Sequence, residues 1–259
     1  MFVLGLILAV IVGITLGLVG SGGSILTVPI FVYVFGVDPV LATAYSLFSI
    51  GVTSLVGGVK GFIYEDVDMD KLIKFGIPSM ISVFVMRKYI VPLIPDEFYI
   101  RGYVISQEVV LMVAFAILML FAAYAMFKDV NLPRPKYPFF AVVSKGVIVG
   151  SVTGIVGAGG GFLIIPALTS FFHLSMRKAV ATSLVLIAIN SMLGLLGDWR
   201  RIGMFQWNLL LTYTGLTVLG IFIGFYLSNK LDGKKLKKLF ALVIMSVAIF
   251  VILTELGII

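Results

Sequence analysis

The chain has 259 residues, is 61% hydrophobic and 12% charged, and carries a formal net charge of +7. Soluble domains hold about 25% charged residues, so a chain with a mean hydropathy of +1.18 needs lipid as its solvent. The absence of cysteine and the single histidine, His173, exclude disulfides, thiolate metal sites and multi-histidine metal centres.

The first predicted element is a long apolar helix over 2–19. It lacks the basic n-region and the small-residue cleavage site of a signal peptide, so it is read as structural. The stretch GLVGSGGSILTVP (17–29) then interrupts the apolar run with a glycine-rich break at 20–24. A short apolar segment follows (25–36). Such a segment reaches only about 18 Å as a helix, too short for about 30 Å of hydrocarbon. It is expected to be a half-helix that begins inside the membrane. A long helix over 40–62, a polar loop YEDVDMD (64–70) and helices over 71–91 and 108–127 complete the first half. The Pro-rich, charged stretch KDVNLPRPKYP (128–138) is expected outside the bilayer. The second half reads the same way: helix 139–156, break 157–161, short segment 162–172, helix 177–197, polar RIGMFQW (201–207), then helices over 208–227 and 237–255. None of these runs alternates as a barrel strand does.

The two halves are a sequence repeat. A shift of 137 positions lays GLVGSGGSILTVP (17–29) on GIVGAGGGFLIIP (154–166). Gly13 falls on Gly150, Gly17 on Gly154, Pro29 on Pro166, Ser46 on Ser183 and Ser54 on Ser191. Orientation follows from charge. Loops at 60–74, 128–145, 177–178 and 230–238 hold fourteen Lys and Arg. The opposite set holds five: Arg87, Lys88, Arg101, Arg200 and Arg201. Cytoplasmic loops collect Lys and Arg, which also accounts for the net charge without nucleic acid. Equivalent loops then lie on opposite faces. The expected fold class is an all-α polytopic membrane protein of two inverted-topology repeats, 1–127 and 139–259, joined by a cytoplasmic loop at 128–138. Both termini come out external, in a multi-pass protein of the plasma membrane. Inverted repeats are the usual architecture of secondary transporters.

A helix N-terminus presents free N–H groups and a partial positive charge, and so binds anions without a charged side chain. Two such termini at mid-membrane would form a small anion pocket. Its candidate residues are Gly20, Ser21, Gly22, Gly23 and Ser24 from the first break and Gly157, Ala158, Gly159, Gly160 and Gly161 from the second. The following helices add Ser46, Ser49, Thr53 and Ser54, then Thr182, Ser183, Asn190 and Ser191. Thr53 and Asn190 share a register position and join the candidate site; interhelical hydrogen bonding is the competing role for all of these. No Asp or Glu lies deep in any predicted span, which fits an anion held by backbone better than a cation pump. No cofactor is implied, and the residues identify neither a coupling ion, proton or sodium, nor an oligomeric state.

The paired motifs resemble those of the TauE/SafE family of sulfite and organosulfonate exporters, also called the sulfonate uptake permease family. The resemblance rests on GLVGSGGSILTVP and GIVGAGGGFLIIP, each followed by a similar helix start, LATAYSL (41–47) and AVATSLV (179–185). It implies transport of a small sulfur-containing or carboxylate anion across the plasma membrane, by export and alternating access. One departure is visible. Gly215, Gly220 and Gly224 follow the family, whereas their first-half counterparts are Pro78, Val83 and Arg87, and 81–103 is unusually charged. Packing around that first-half helix is expected to differ. Rival readings are a passive anion channel and a non-transporting assembly or sensor protein. An intramembrane serine protease with Ser21 as nucleophile and His173 as base is disfavoured, because Ala158 takes the place of Ser21 in the second half.

Overall fold

The computed structural model describes residues 1–20, 23–64, 66–100, 103–127, 138–172, 174–228 and 233–257. Six helices among them are long and apolar enough to cross a membrane. Helix α1 (Phe2–Val19) ends at Gly20, whose φ of 75° lets its N–H turn back to the Leu16 carbonyl at 2.7 Å. The short helix α2 (Ser24–Pro29) passes into a π-helical turn (Ile30–Val34). Proline has no N–H to give to the ladder, and the turn widens beside it. Helix α3 (Pro39–Ile63) starts on Asp38, whose carboxylate accepts from the Leu41 N–H at 2.9 Å, with Pro39 in the first turn. Helix α4 (Met69–Val85) is capped by Asp68 and continues as a π-turn (Met86–Ile90) and a 3₁₀ turn (Val91–Leu93).

The stretch between the helices expected over 71–91 and 108–127 holds strands not anticipated from the sequence. Strands β1 (Glu97–Ile100) and β2 (Tyr103–Ser106) form an antiparallel hairpin before α5 (Gln107–Phe127). Their aromatic and β-branched residues suit a strand. The second half has α6 (Phe139–Val156), α7 (Gly161–Pro166) with its own π-turn (Ala167–Phe171), α8 (Met176–Gly197), a 3₁₀ turn (Trp199–Met204), α9 (Trp207–Ser228) and α10 (Gly233–Glu255).

Helices of the two halves interlock. α1 packs on α9, α6 on α4, α3 on α8 and α5 on α10. Glycine sets the closest approaches, as small residues do where no hydrophobic force separates helix from lipid. A Cβ on Gly13 would run into the Thr217 carbonyl, and one on Gly17 into that of Ile221. On the other side Gly146, Gly150 and Gly154 face Phe75, Ser79 and Met86. The first-half helix departs here as expected: α4 brings no glycine to this contact, so α6 supplies the room alone. These contacts also give direction. α1 runs parallel to α9 and α6 parallel to α4, while Gly51 beside Ser191 and Gly61 beside Ala181 make α3 antiparallel to α8.

Gly150→Leu is expected to lower the thermal unfolding midpoint sharply, since overpacking costs about 1–3 kcal/mol or more. Gly203→Ala has open space around it and is the control. Equal midpoints for the two variants would remove the close-packing role assigned to Gly150.

Candidate anion site at the two glycine breaks

The first short helix doubles back along α1. Gly23 lies against the Val12 carbonyl and Thr15 Oγ1, while Phe35 lies against Gly5 and stacks edge-on with Phe2. The segment 24–34 therefore begins beside the middle of α1 and returns toward its start. Gly20 stays at the end of α1, where its carbonyl accepts from Ser183 Oγ at 3.2 Å. Ser24 opens α2 and is buried, and Thr27 Oγ1 reaches the Gly23 carbonyl at 3.5 Å. Ser21 and Gly22 lie outside the described residues, as does His173.

The second break is described throughout. Gly157 ends α6 with φ 72°, and Gly160 (φ 72°) sets the start of α7, its carbonyl accepting from the N–H of Leu163 and Ile164 at 3.0 Å each. Ala158, Gly159 and Gly161 are buried with them. A Cβ on Gly159 would sit 2.9 Å from Ser191 Oγ. The short helices α2 and α7 touch each other, so the two breaks share one region of the core.

Ser183 meets the breaks at Gly20, Thr43 at Gly157, Ser191 at Gly159 and Thr153 at Gly160, while Thr53 and Asn190 bond between helices. Thr53 Oγ1 donates to the Ser49 carbonyl at 2.7 Å and pairs with Thr217 Oγ1 at 2.7 Å, so its hydroxyl ties α3 to α9. Asn190 Nδ2 donates to Ser79 Oγ at 2.9 Å and ties α8 to α4. The buried oxygens Asn190 Oδ1, Ser46 Oγ, Ser54 Oγ and Ser191 Oγ have no partner among the described residues. Buried polar atoms are normally paired, so these oxygens, with Tyr213 Oη and with Arg87 Nε and Nη2, are the unspent hydrogen-bonding capacity of the described core. A pocket of about 650 Å³ lies elsewhere, between Phe2 and the start of α9 at Trp207, and no break residue lines it.

Two residues gain a place here that the sequence reading did not give them. Arg87, grouped there with the loop charges, is fully buried and pairs with Asp198 Oδ2 at 2.7 Å and Thr43 Oγ1 at 2.9 Å. Asp198, the residue just past the helix expected over 177–197, is buried too, and Arg201 is its second partner at 3.3 Å. The available signal was the register: Arg87 replaces the glycine found at 224, and Asp198 falls opposite Gly61.

The sulfite exporter TauE/SafE family matches residues 5–251. The chain belongs to that family. A probable membrane transporter protein of Xylella fastidiosa (strain Temecula1) is 25% identical over 252 residues, covering 93% of this chain and 91% of the relative. The probable membrane transporter protein YunE of Bacillus subtilis is 29% identical over 210 residues, covering 74% and 76%. No solved structure gives a significant match. The protein is thus a multi-pass membrane transporter of the TauE/SafE family.

Ser79→Ala strips Asn190 of its described partner and is expected to destabilise by about 1–3 kcal/mol. Thr53→Val costs less, near the 0.6 kcal/mol average of interhelical bonds, because Thr217 Oγ1 keeps the Thr214 carbonyl at 2.8 Å. Thermal unfolding in detergent ranks the two; the reverse order would refute this division of roles.

Proposed function

We propose that the protein is a secondary transporter that exports a small anion such as sulfite or an organosulfonate. The anion binds where the two half-helices start, at Gly20–Ser24 and Gly157–Gly161, with Thr53 and Asn190 beside it. One observation carries this reading: the two glycine breaks share the core, and an unpartnered buried oxygen, Ser191 Oγ, lies against Gly159. Glycine there keeps the backbone open to a ligand, and the N–H groups favour negative charge. The family's description names sulfite, and the substrate class follows it.

Two inverted repeats, 1–127 and 139–259 with 128–138 between them, make the frame for alternating access. The reading draws support from helix direction: α1 parallel to α9, α6 parallel to α4, α3 antiparallel to α8. It also draws support from ion pairs that join loops of one charge set, Arg177 with Asp66 at 2.7 Å at one end and Arg87 with Asp198 at 2.7 Å at the other. Every described residue of the two breaks is buried, which favours a carrier over a standing aqueous pore.

Purified protein is expected to gain thermal stability from sulfite or an organosulfonate, about 2.7 kcal/mol at 100 times Kd. Gly159→Leu should abolish that gain; an undiminished gain would put the site elsewhere. Orientation has its own check in this cysteine-free chain. A membrane-impermeant thiol reagent applied from outside should label Arg200→Cys and spare Lys178→Cys. The opposite pattern would reverse the topology.

A further inference from the structure

Arg87 carries more hydrogen-bonding capacity than its protein partners use. A guanidinium has five N–H donors. Nη1 serves Thr43 Oγ1 and Asp198 Oδ2. Nε and Nη2, which hold the other three donors, have no partner among the described residues, although the side chain is completely buried. Buried donors of a charged group are costly to leave unmade. Nη2 lies against the second glycine break: any side chain at Gly157 would collide with it. On the other side Gly197 leaves room for the Arg87 stem, whose Cβ would lie 2.7 Å from a Cβ there.

We infer that Arg87 is an anion-binding residue, and that its Nε–Nη2 edge takes two oxygens of an oxyanion beside Gly157. The inference rests on the glycine breaks being the anion site, and it names the chemistry of the ligand they hold. The Nε–Nη2 edge is a planar fork whose parallel N–H bonds match two oxygens on one centre, as in a sulfite, sulfonate or carboxylate. A halide offers one centre and uses the fork poorly. Charge agrees: Arg87 and Arg201 face the single carboxylate of Asp198, which leaves the cluster one positive charge in excess.

A purely structural ion pair explains less. The register supplies an internal comparison, because the other half builds the same contact without charge. Gly20, the counterpart of Gly157, meets Val180 where Gly157 meets Thr43. Gly224 stands in place of Arg87, and Gly61 in place of Asp198. The fold closes at that end with a valine and two glycines, so closure alone does not call for an arginine. The cation is an addition at one end.

The test is calorimetric titration of the purified full chain with sulfite, methanesulfonate and chloride. Wild type is expected to bind at least one of the oxyanions more tightly than chloride. Arg87→Lys keeps a charge beside Asp198 but loses the fork. It should weaken oxyanion binding by roughly tenfold or more, the scale of hydrogen bonds to a charged group, and shrink the preference over chloride. The neutral pair Arg87→Gln with Asp198→Asn should weaken it at least as far. Wild-type affinity and selectivity in Arg87→Lys would overturn the role of Arg87, and if Gly159→Leu still lost binding, the site at the breaks would stand without it. No oxyanion binding by wild type would overturn both.

Discussion

The structure depends on one constraint: no backbone polar group can face lipid without a partner. A chain that stops its helix inside the bilayer must therefore bury the interruption in protein. The described residues of both breaks are buried in protein. Gly20, Gly23 and the whole of 157–161 are shielded from the exterior, and the helices that shield them come from both halves. That burial needs helices to approach to backbone distance. Gly13 and Gly17 let α9 close on α1, and Gly146, Gly150 and Gly154 let α4 close on α6. Glycines in this chain thus have two duties. Some open the backbone at the breaks, and others close the wall around them.

The backbone is built twice, but the chemistry is not. Ser21 is matched by Ala158, Thr53 by Asn190, Thr43 by Val180, Arg87 by Gly224 and Asp198 by Gly61. The polar pairs follow this unevenness. Thr53 bonds Thr217 across α3 and α9, whereas Asn190 bonds Ser79 across α8 and α4 and keeps its oxygen free. The ion pair of Arg87 and Asp198 sits at one end of the second break only. A buried pair of this kind adds little net stability, since desolvation offsets the attraction. Its value lies in holding a cation where lipid would otherwise exclude it.

Much of this was legible in the residues. Apolar runs marked the long helices, because hydrocarbon thickness sets their length. The recurrence of GLVGSGG as GIVGAGG marked both breaks, because only glycine accepts φ near 72° at Gly157 and Gly160 without strain. The segments from Ser24 and Gly161 were legible as short helices from length alone. The hairpin at Glu97–Ser106 was not, since a two-stranded ribbon of four residues a side leaves only a short apolar and aromatic run between two helices.

The sequence by itself determined the lipid solvent, the repeat and the positions of the breaks, because these follow from local composition and periodicity. Tertiary structure alone decided which polar groups are spent. Arg87 and Asp198 are 111 residues apart, and each taken singly looks like a charge near a helix end. Only packing of the π-turn after α4 against α6 and α8 buries the pair and sets Nη2 against Gly157. Burial and direction are properties of the folded neighbourhood, and no window of sequence contains them.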